Sequence, residues 1–298
     1  RCKFNTGYTP TPQGESTGWD SQVCVDETNN IWDITKNSTN WSRMLEYQDN
    51  LIEVLGANTT GVEIMFATLN ICHNLTKTSL FDTSSVVDMS YMFWMCESLE
   101  EIDLSSLNTE KVTDMSHMFY ECSGIKELNL SAFKTKELTD MSYMFAGCSS
   151  LTSIDISHFN VNKVTTIESL FEGCKSLSMI NIEGLKFSKV TSFEKVFSNC
   201  SSLKSVDVSA WNTGNAETMS GLFQRCSLLQ ELDLSNFNTS KVRNIAFMFD
   251  ECTNIEELDL SNFDTSKVTD MSHMFSEVGL HSNNFNLDLG NHFNTSNV

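Results

Sequence analysis

Thiols are the most regularly placed reactive groups in this chain. Seven of its 10 cysteines, Cys96, Cys122, Cys148, Cys174, Cys200, Cys226 and Cys252, follow one another at intervals of 26 residues. Cys72 precedes them by an interval two residues shorter. Such a series suits a metal array, a disulfide ladder or a column of small buried hydrophobes. Metal sites are built from close pairs such as C-x-x-C with histidine nearby, whereas each unit here supplies one sulfur. Free cysteine packs well as a small apolar side chain, so the column is expected to point inward and to stay mostly unpaired. Cys2 and Cys24 lie outside the series and bracket a loop that carries Pro10, Pro12 and glycine. A disulfide between those two is expected in an oxidising exterior.

The histidines do not supplement the thiols. His117 and His273 hold the repeat position that Tyr91 and Tyr143 hold in other units, and His73, His158, His281 and His292 have no recurring carboxylate or thiol partner. The chain contains no H-E-x-x-H, G-x-S-x-G or phosphate-binding glycine loop. Calcium would need oxygens converging from a curved loop, and no D-x-D-x-D-G or G-G-x-G-x-D motif is present. Neither an enzyme nor a cofactor is expected.

Carboxylates carry the remaining chemistry. Asp and Glu number 39 against 19 Lys and Arg, for a formal charge of −20. That balance argues against nucleic acid or an anionic membrane as a partner, since both reward clustered cations. The acidic residues fall into columns when the repeats are aligned. One runs Asp103, Asn129, Asp155, Asn181, Asp207, Asp233, Asp259; a second runs Glu101, Glu127, Ser153, Met179, Ser205, Glu231, Glu257. Like charges on neighbouring strands oppose each other, and the two asparagines relieve this in the first half. Lys111, Lys163, Lys189, Lys241 and Lys267 mark a turn at a different edge. The middle units depart most from the repeat, with Met179 and Trp211 appearing and Thr-Asp-Met replaced near Thr166, Ser192 and Glu217.

The elements that place these columns follow from two periodicities. In Cys148, Leu151, Ile154, Ile156, Phe159 the aliphatics around Asp155 alternate with polar residues, as in a short strand with one face inward. In Val112, Met115, Met118, Phe119, Cys122 the spacing of three and four predicts a short helical arc. A fixed period of 20 to 50 residues means stacked units that share one core. The reading is therefore an α/β repeat solenoid over 62–298, a leucine-rich-repeat-like right-handed coil of short parallel strands and helical arcs. Residues 1–61 form its N-terminal cap, with one helix near 40–55 suggested by Met44, Leu45, Leu51, Ile52 and Leu55 and ended by Gly56. Val62 to Phe93 holds shortened coils that include Leu75, Leu80 and Val87.

The wording of the units is specific. Asn238-Thr-Ser-Lys-Val-Arg, Val268-Thr-Asp-Met-Ser-His-Met-Phe275 and the run from Cys252 through Leu258-Asp-Leu-Ser-Asn-Phe263 closely resemble the BspA-like leucine-rich repeat surface proteins. The resemblance covers about Val62 to Val298. It implies a cell-surface or secreted protein whose repeats bind host or matrix proteins or other cells, and no shared catalytic residues. On that basis the expected function is recognition or adhesion, extracellular or at the cell surface. Glu101, Asp103, Asp155, Asp207, Glu231, Asp233, Glu257 and Asp259 are the candidate ligand-binding residues. The alternative is a subunit that associates through its solenoid ends into a surface layer or filament.

Three further features bear on this. No apolar run is long enough to cross a membrane as a helix. Sequons at Asn37, Asn40, Asn58, Asn74, Asn129, Asn199, Asn238 and Asn294 are about as frequent as composition predicts, so they do not argue for export. After Phe275 the cysteine position is Val278, Leu287-Asp288-Leu289 reads as one more strand, and Asn294-Thr-Ser-Asn-Val298 opens another arc. The last coil is thus expected to be incomplete, continued in a longer chain or covered by another molecule.

Overall fold

The structure, a computed structural model, describes residues 2–6, 9–11, 21–26, 28, 31–35, 38–54, 61–79 and 83–298. Pro12, Trp19, Leu55, Gly56, Leu80 and the sequons at Asn37 and Asn58 lie outside the described residues. Each repeat makes one coil, and the alternating segments of several neighbouring coils pair in parallel. These strands are β4 (Leu51–Val54), β5 (Lys77–Ser79), β6 (Glu101–Asp103), β7 (Ser153–Asp155), β8 (Met179–Asn181), β9 (Glu257–Asp259) and β10 (Asn286–Asp288). Single parallel bridges, Glu127 to Ser153 and Ser205 to Glu231, add to the column, which is divided into separate sheets and not one continuous ladder.

The arcs are not helices; among the described residues there is no helix at all. In the coil from Met115 to Cys122, the amides of Met118, Tyr120 and Cys122 bond three residues back, to Met115, His117 and Phe119. The alternate amides, of Met115, His117, Phe119 and Glu121, donate instead to Asp140, Ser142, Met144 and Ala146 of the next coil. His117 and Glu121 take positive φ of 56°, as the third residue of a turn does. An arc built this way spends half its amides on stacking, which a helix bonded four residues back cannot do. Its buried set is still Met115, Met118, Phe119 and Cys122, because serial turns share the three-and-four spacing.

The same bonding begins at residue 40 instead of residue 62. Trp41, Arg43, Leu45 and Tyr47 donate to Ile64, Phe66, Thr68 and Asn70, and Asn40 bridges Ile64 in parallel. The predicted helix near 40–55 is therefore the arc and strand of a first coil. The cap is made by β1 (Cys2–Phe4), β2 (Ser21–Asp26) and β3 (Ile31–Thr35), which join the sheet in the order β2-β3-β1-β4-β5-β6. Because β1 runs antiparallel to β4, the first edge of the parallel sheet is covered by strand pairing and not by a helix. This order also overturns the expected Cys2–Cys24 disulfide. Cys2 and Cys24 both register with Trp32, one on each side of β3, and no disulfide joins them. Two strand spacings, about 10 Å, exceed what a disulfide spans.

Three buried columns hold the coils together. Phe93, Phe119, Phe145, Phe171, Phe197, Phe223, Phe249 and Phe275 stack with ring centroids 5.4 to 6.4 Å apart. The eight cysteines from Cys72 to Cys252 are buried thiols, and each S–H donates to a carbonyl of the preceding arc at 2.9 to 3.1 Å, as Cys122 does to Phe93. Their pKa values are pushed up by burial, to about 12 for Cys96, Cys148 and Cys226. A threonine ladder forms the third column. The hydroxyls of Thr83, Thr109, Thr135, Thr213, Thr239 and Thr265 each donate to a backbone carbonyl of the next coil. Each also accepts the N–H of that same residue, at 2.5 to 2.8 Å. Val161 and Phe187 interrupt the ladder in the middle coils, where Trp211 packs against Phe187, Phe193, Phe197 and Phe237.

Candidate recognition surface

On each strand the inward aliphatic is flanked by two residues that face away from the core. All eight candidate residues, Glu101, Asp103, Asp155, Asp207, Glu231, Asp233, Glu257 and Asp259, are exposed on this one face. The aspartates also have a local task. Oδ1 of Asp103, Asp155, Asp207, Asp233 and Asp259 accepts the amide of the serine two residues on, at 2.8 to 2.9 Å. Asn129 and Asn181 make the same turn with Ser131 and Glu183. This Asx turn bends the chain out of the strand, and either amide or carboxylate can close it. The serine hydroxyl and amide hold the five aspartates below the usual carboxylate range. Asp207 and Asp259 push Asp233 the other way, which is the repulsion expected of consecutive acidic strands.

The face is not uniform. Glu231, Asp233, Glu257 and Asp259 line a depression of about 500 Å³ whose other walls are Gln230, Leu232 and Glu256. Glu101 and Asp155 belong to a second one, of about 840 Å³, with Lys126, Glu127, Ile154, Met179 and Ile180. Asp103 and Asp207 lie on the same face and line neither of these two. Met179, Ile180 and Lys126 were not among the candidate residues. The signal for Met179 is its appearance in a column otherwise made of Glu and Ser, and its side chain is 65% exposed.

A second feature that spacing did not assign lies on the arc side. The rings of Tyr91, His117 and Tyr143 stack at 4.3 and 4.6 Å, with Trp94 and Tyr120 alongside. The stacking faces are used against one another, so this column ties coils together. Burial lowers the pKa of His117 against the pull of Asp140, Asp114 and Glu168, and Tyr143 Oη donates to Glu168 at 2.6 Å. Two ion pairs lie at other edges: Lys163 pairs with Glu137, and Arg225 with Glu251 at 3.0 Å. Among the described residues no cluster of His, Cys, Asp and Glu is arranged to hold a metal ion.

Comparison with known proteins gives a family and a set of distant likenesses. Residues 39–129, 100–206 and 191–298 each match the family described as "Mycoplasma protein of unknown function, DUF285". No curated protein matches the chain. Among solved structures, a leucine rich repeat protein of T. pallidum shares 20% identity at a TM-score of 0.40, over 54% of this chain and 69% of its own. A leucine rich cell surface protein of Faecalibacterium prausnitzii shares 16% at 0.34, over 80% and 60%. A leucine-rich repeat protein of Eubacterium ventriosum shares 16% at 0.40, over 82% and 87%. The family matches start where the coil bonding starts, at the segment before Asn40, and continue to Val298; the chain belongs to the DUF285 family.

Proposed function

We propose that this chain is an extracellular or cell-surface recognition module whose strand face binds a protein partner carrying positive charge. The observation that carries the reading is the charge of that face. In the strand segments of the seven coils from 100–103 to 256–259, eleven carboxylates stand against two cations, Lys126 and Lys204. The most acidic stretch comprises Asp207, Glu231, Asp233, Glu257 and Asp259, all exposed. A surface of one sign steers oppositely charged partners and rejects like-charged ones. The wording shared with BspA-like surface proteins supports the placement outside the cell, and a stacked-coil surface suits an extended protein contact.

The test is selection from a displayed random peptide library against the folded chain, at low and at high salt. Peptides rich in Lys and Arg are expected at low salt and should be depleted at high salt. The selection is then repeated with Asp207, Asp233 and Asp259 changed to Asn and Glu231 and Glu257 changed to Gln. The asparagines keep the Asx turns, as Asn129 and Asn181 already do. If the variant selects the same basic peptides with the same strength, the acidic face is a solvated surface and the proposal is wrong.

A further inference from the structure

The column that begins at Glu101 has an order of its own: Glu101, Glu127, Ser153, Met179, Ser205, Glu231, Glu257. It is acidic at both ends, small beside the centre and apolar at the centre. Single exposed hydrophobic residues are common and need no explanation. Met179 differs because it lines the depression of about 840 Å³ on the strand face, with Ile154 and Ile180 beside it and the small Ser153 in the same lining. Methionine adapts its shape to what it meets and is enriched at the cores of protein interfaces. The surrounding charge narrows the chemistry of what it meets. Glu127 and Glu231 stand two coils to either side of Met179, about 10 Å at the strand spacing. A chain in the polyproline II conformation covers about 9 Å in three residues and brings every third side chain back to the same face.

We infer that this face takes a polyproline II segment of its partner whose central apolar side chain enters the depression at Met179. Lys or Arg residues three positions to each side of that side chain meet Glu127 and Glu231. This rests on the reading that the strand face contacts a basic partner, and adds the order of residues the partner must present. Lys126 lies beside Glu127, and Lys204 lies in the coil between Met179 and Glu231, so each arm of the segment meets one carboxylate and one cation.

Two synthetic peptides of equal composition test the order: Lys-Ser-Ser-Leu-Ser-Ser-Lys and its isomer Lys-Lys-Ser-Ser-Ser-Ser-Leu. Binding is followed at low salt through the methyl resonances of labelled methionine, which detect even millimolar affinity and read Met179 directly. The first peptide should bind about tenfold more tightly than the isomer, a difference of about 1.4 kcal/mol, and should shift the Met179 resonance. Met179→Ser should abolish the preference while leaving the isomer's affinity unchanged; serine already occupies this position in the two adjoining coils, so the variant folds. Glu231→Gln and Glu127→Gln should each weaken the first peptide. If wild type binds both peptides equally, or Met179→Ser keeps the preference, the inferred order is wrong while the reading of a basic partner survives. If neither peptide binds, both fall.

Discussion

At the scale of single residues, the side chains that looked reactive are mostly in structural service, and their protonation reveals it. The eight ladder thiols are buried, and burial raises their pKa values. A thiol with a raised folded pKa contributes stability that is fully present below the unfolded value of about 8.5 and is lost as pH rises toward the folded value. Each such group costs about 1.4 kcal/mol per pH unit in that window, so eight acting together should unfold the chain cooperatively within one or two units above pH 9. Urea midpoints measured from neutral to alkaline pH check this. In the native protein Cys148, Cys174 and Cys200 should resist alkylation at neutral pH and react after denaturation, and rapid native labelling would mean that the arc is wrongly oriented. Cys174→Asp should destabilise by several kcal/mol, because it buries a charge with no partner. The aspartates act at the other end of the scale. Their folded pKa values are depressed, so their contribution is present above about pH 4 and is lost as pH falls through the folded values. Acid titration of the Asp207→Asn, Asp233→Asn, Asp259→Asn variant should show a shallower loss than wild type.

At the scale of elements, the coil divides into a strand that side-chain pattern reveals and an arc that it does not. Far-ultraviolet circular dichroism should lack the double minimum of α-helix, and finding it would contradict the serial turns. Thr239→Val removes a hydroxyl that accepts the Asp264 amide at 2.8 Å and donates to its carbonyl at 3.1 Å. Leaving those groups without a partner should cost about 1 to 3 kcal/mol, measured as a lower urea midpoint. The period alone was enough to place the inward cysteines, the strands near Leu128, Ile154 and Leu258, and both outward columns. It did not reveal the torsions of the arc, because Met115, Met118, Phe119 and Cys122 fall on one side of a helix and of a run of turns alike. The first coil at Trp41 was hidden because its unit is shorter and lacks the cysteine-to-cysteine interval. Cys2 and Cys24 were misjudged because strand order is not a local property: they are close along the chain, yet β3 runs between them. Met179 was visible as a departure, but its depression belongs to four neighbouring coils at once.

At the scale of the whole molecule, charge and stacking make separable demands. A chain of formal charge −20 repels copies of itself, so sedimentation at low salt should show a monomer across rising concentration. Mass that grows with concentration would favour the self-assembling alternative. Because each coil touches only its neighbours, a defect in the middle should divide the unfolding transition in two where a defect in one end shifts only part of it. The interrupted threonine ladder at Val161 and Phe187 makes this middle region the place to look, by hydrogen exchange across the strands on either side. The Asx turn after each strand has one more consequence. Either Asp or Asn closes it, as Asp155 and Asn181 do in adjacent coils, and their codons differ by a single base. The electrostatic field over the strand face can therefore be rewritten one coil at a time by point mutation with the turn kept, so the charge of that face is free to drift without putting foldability at risk.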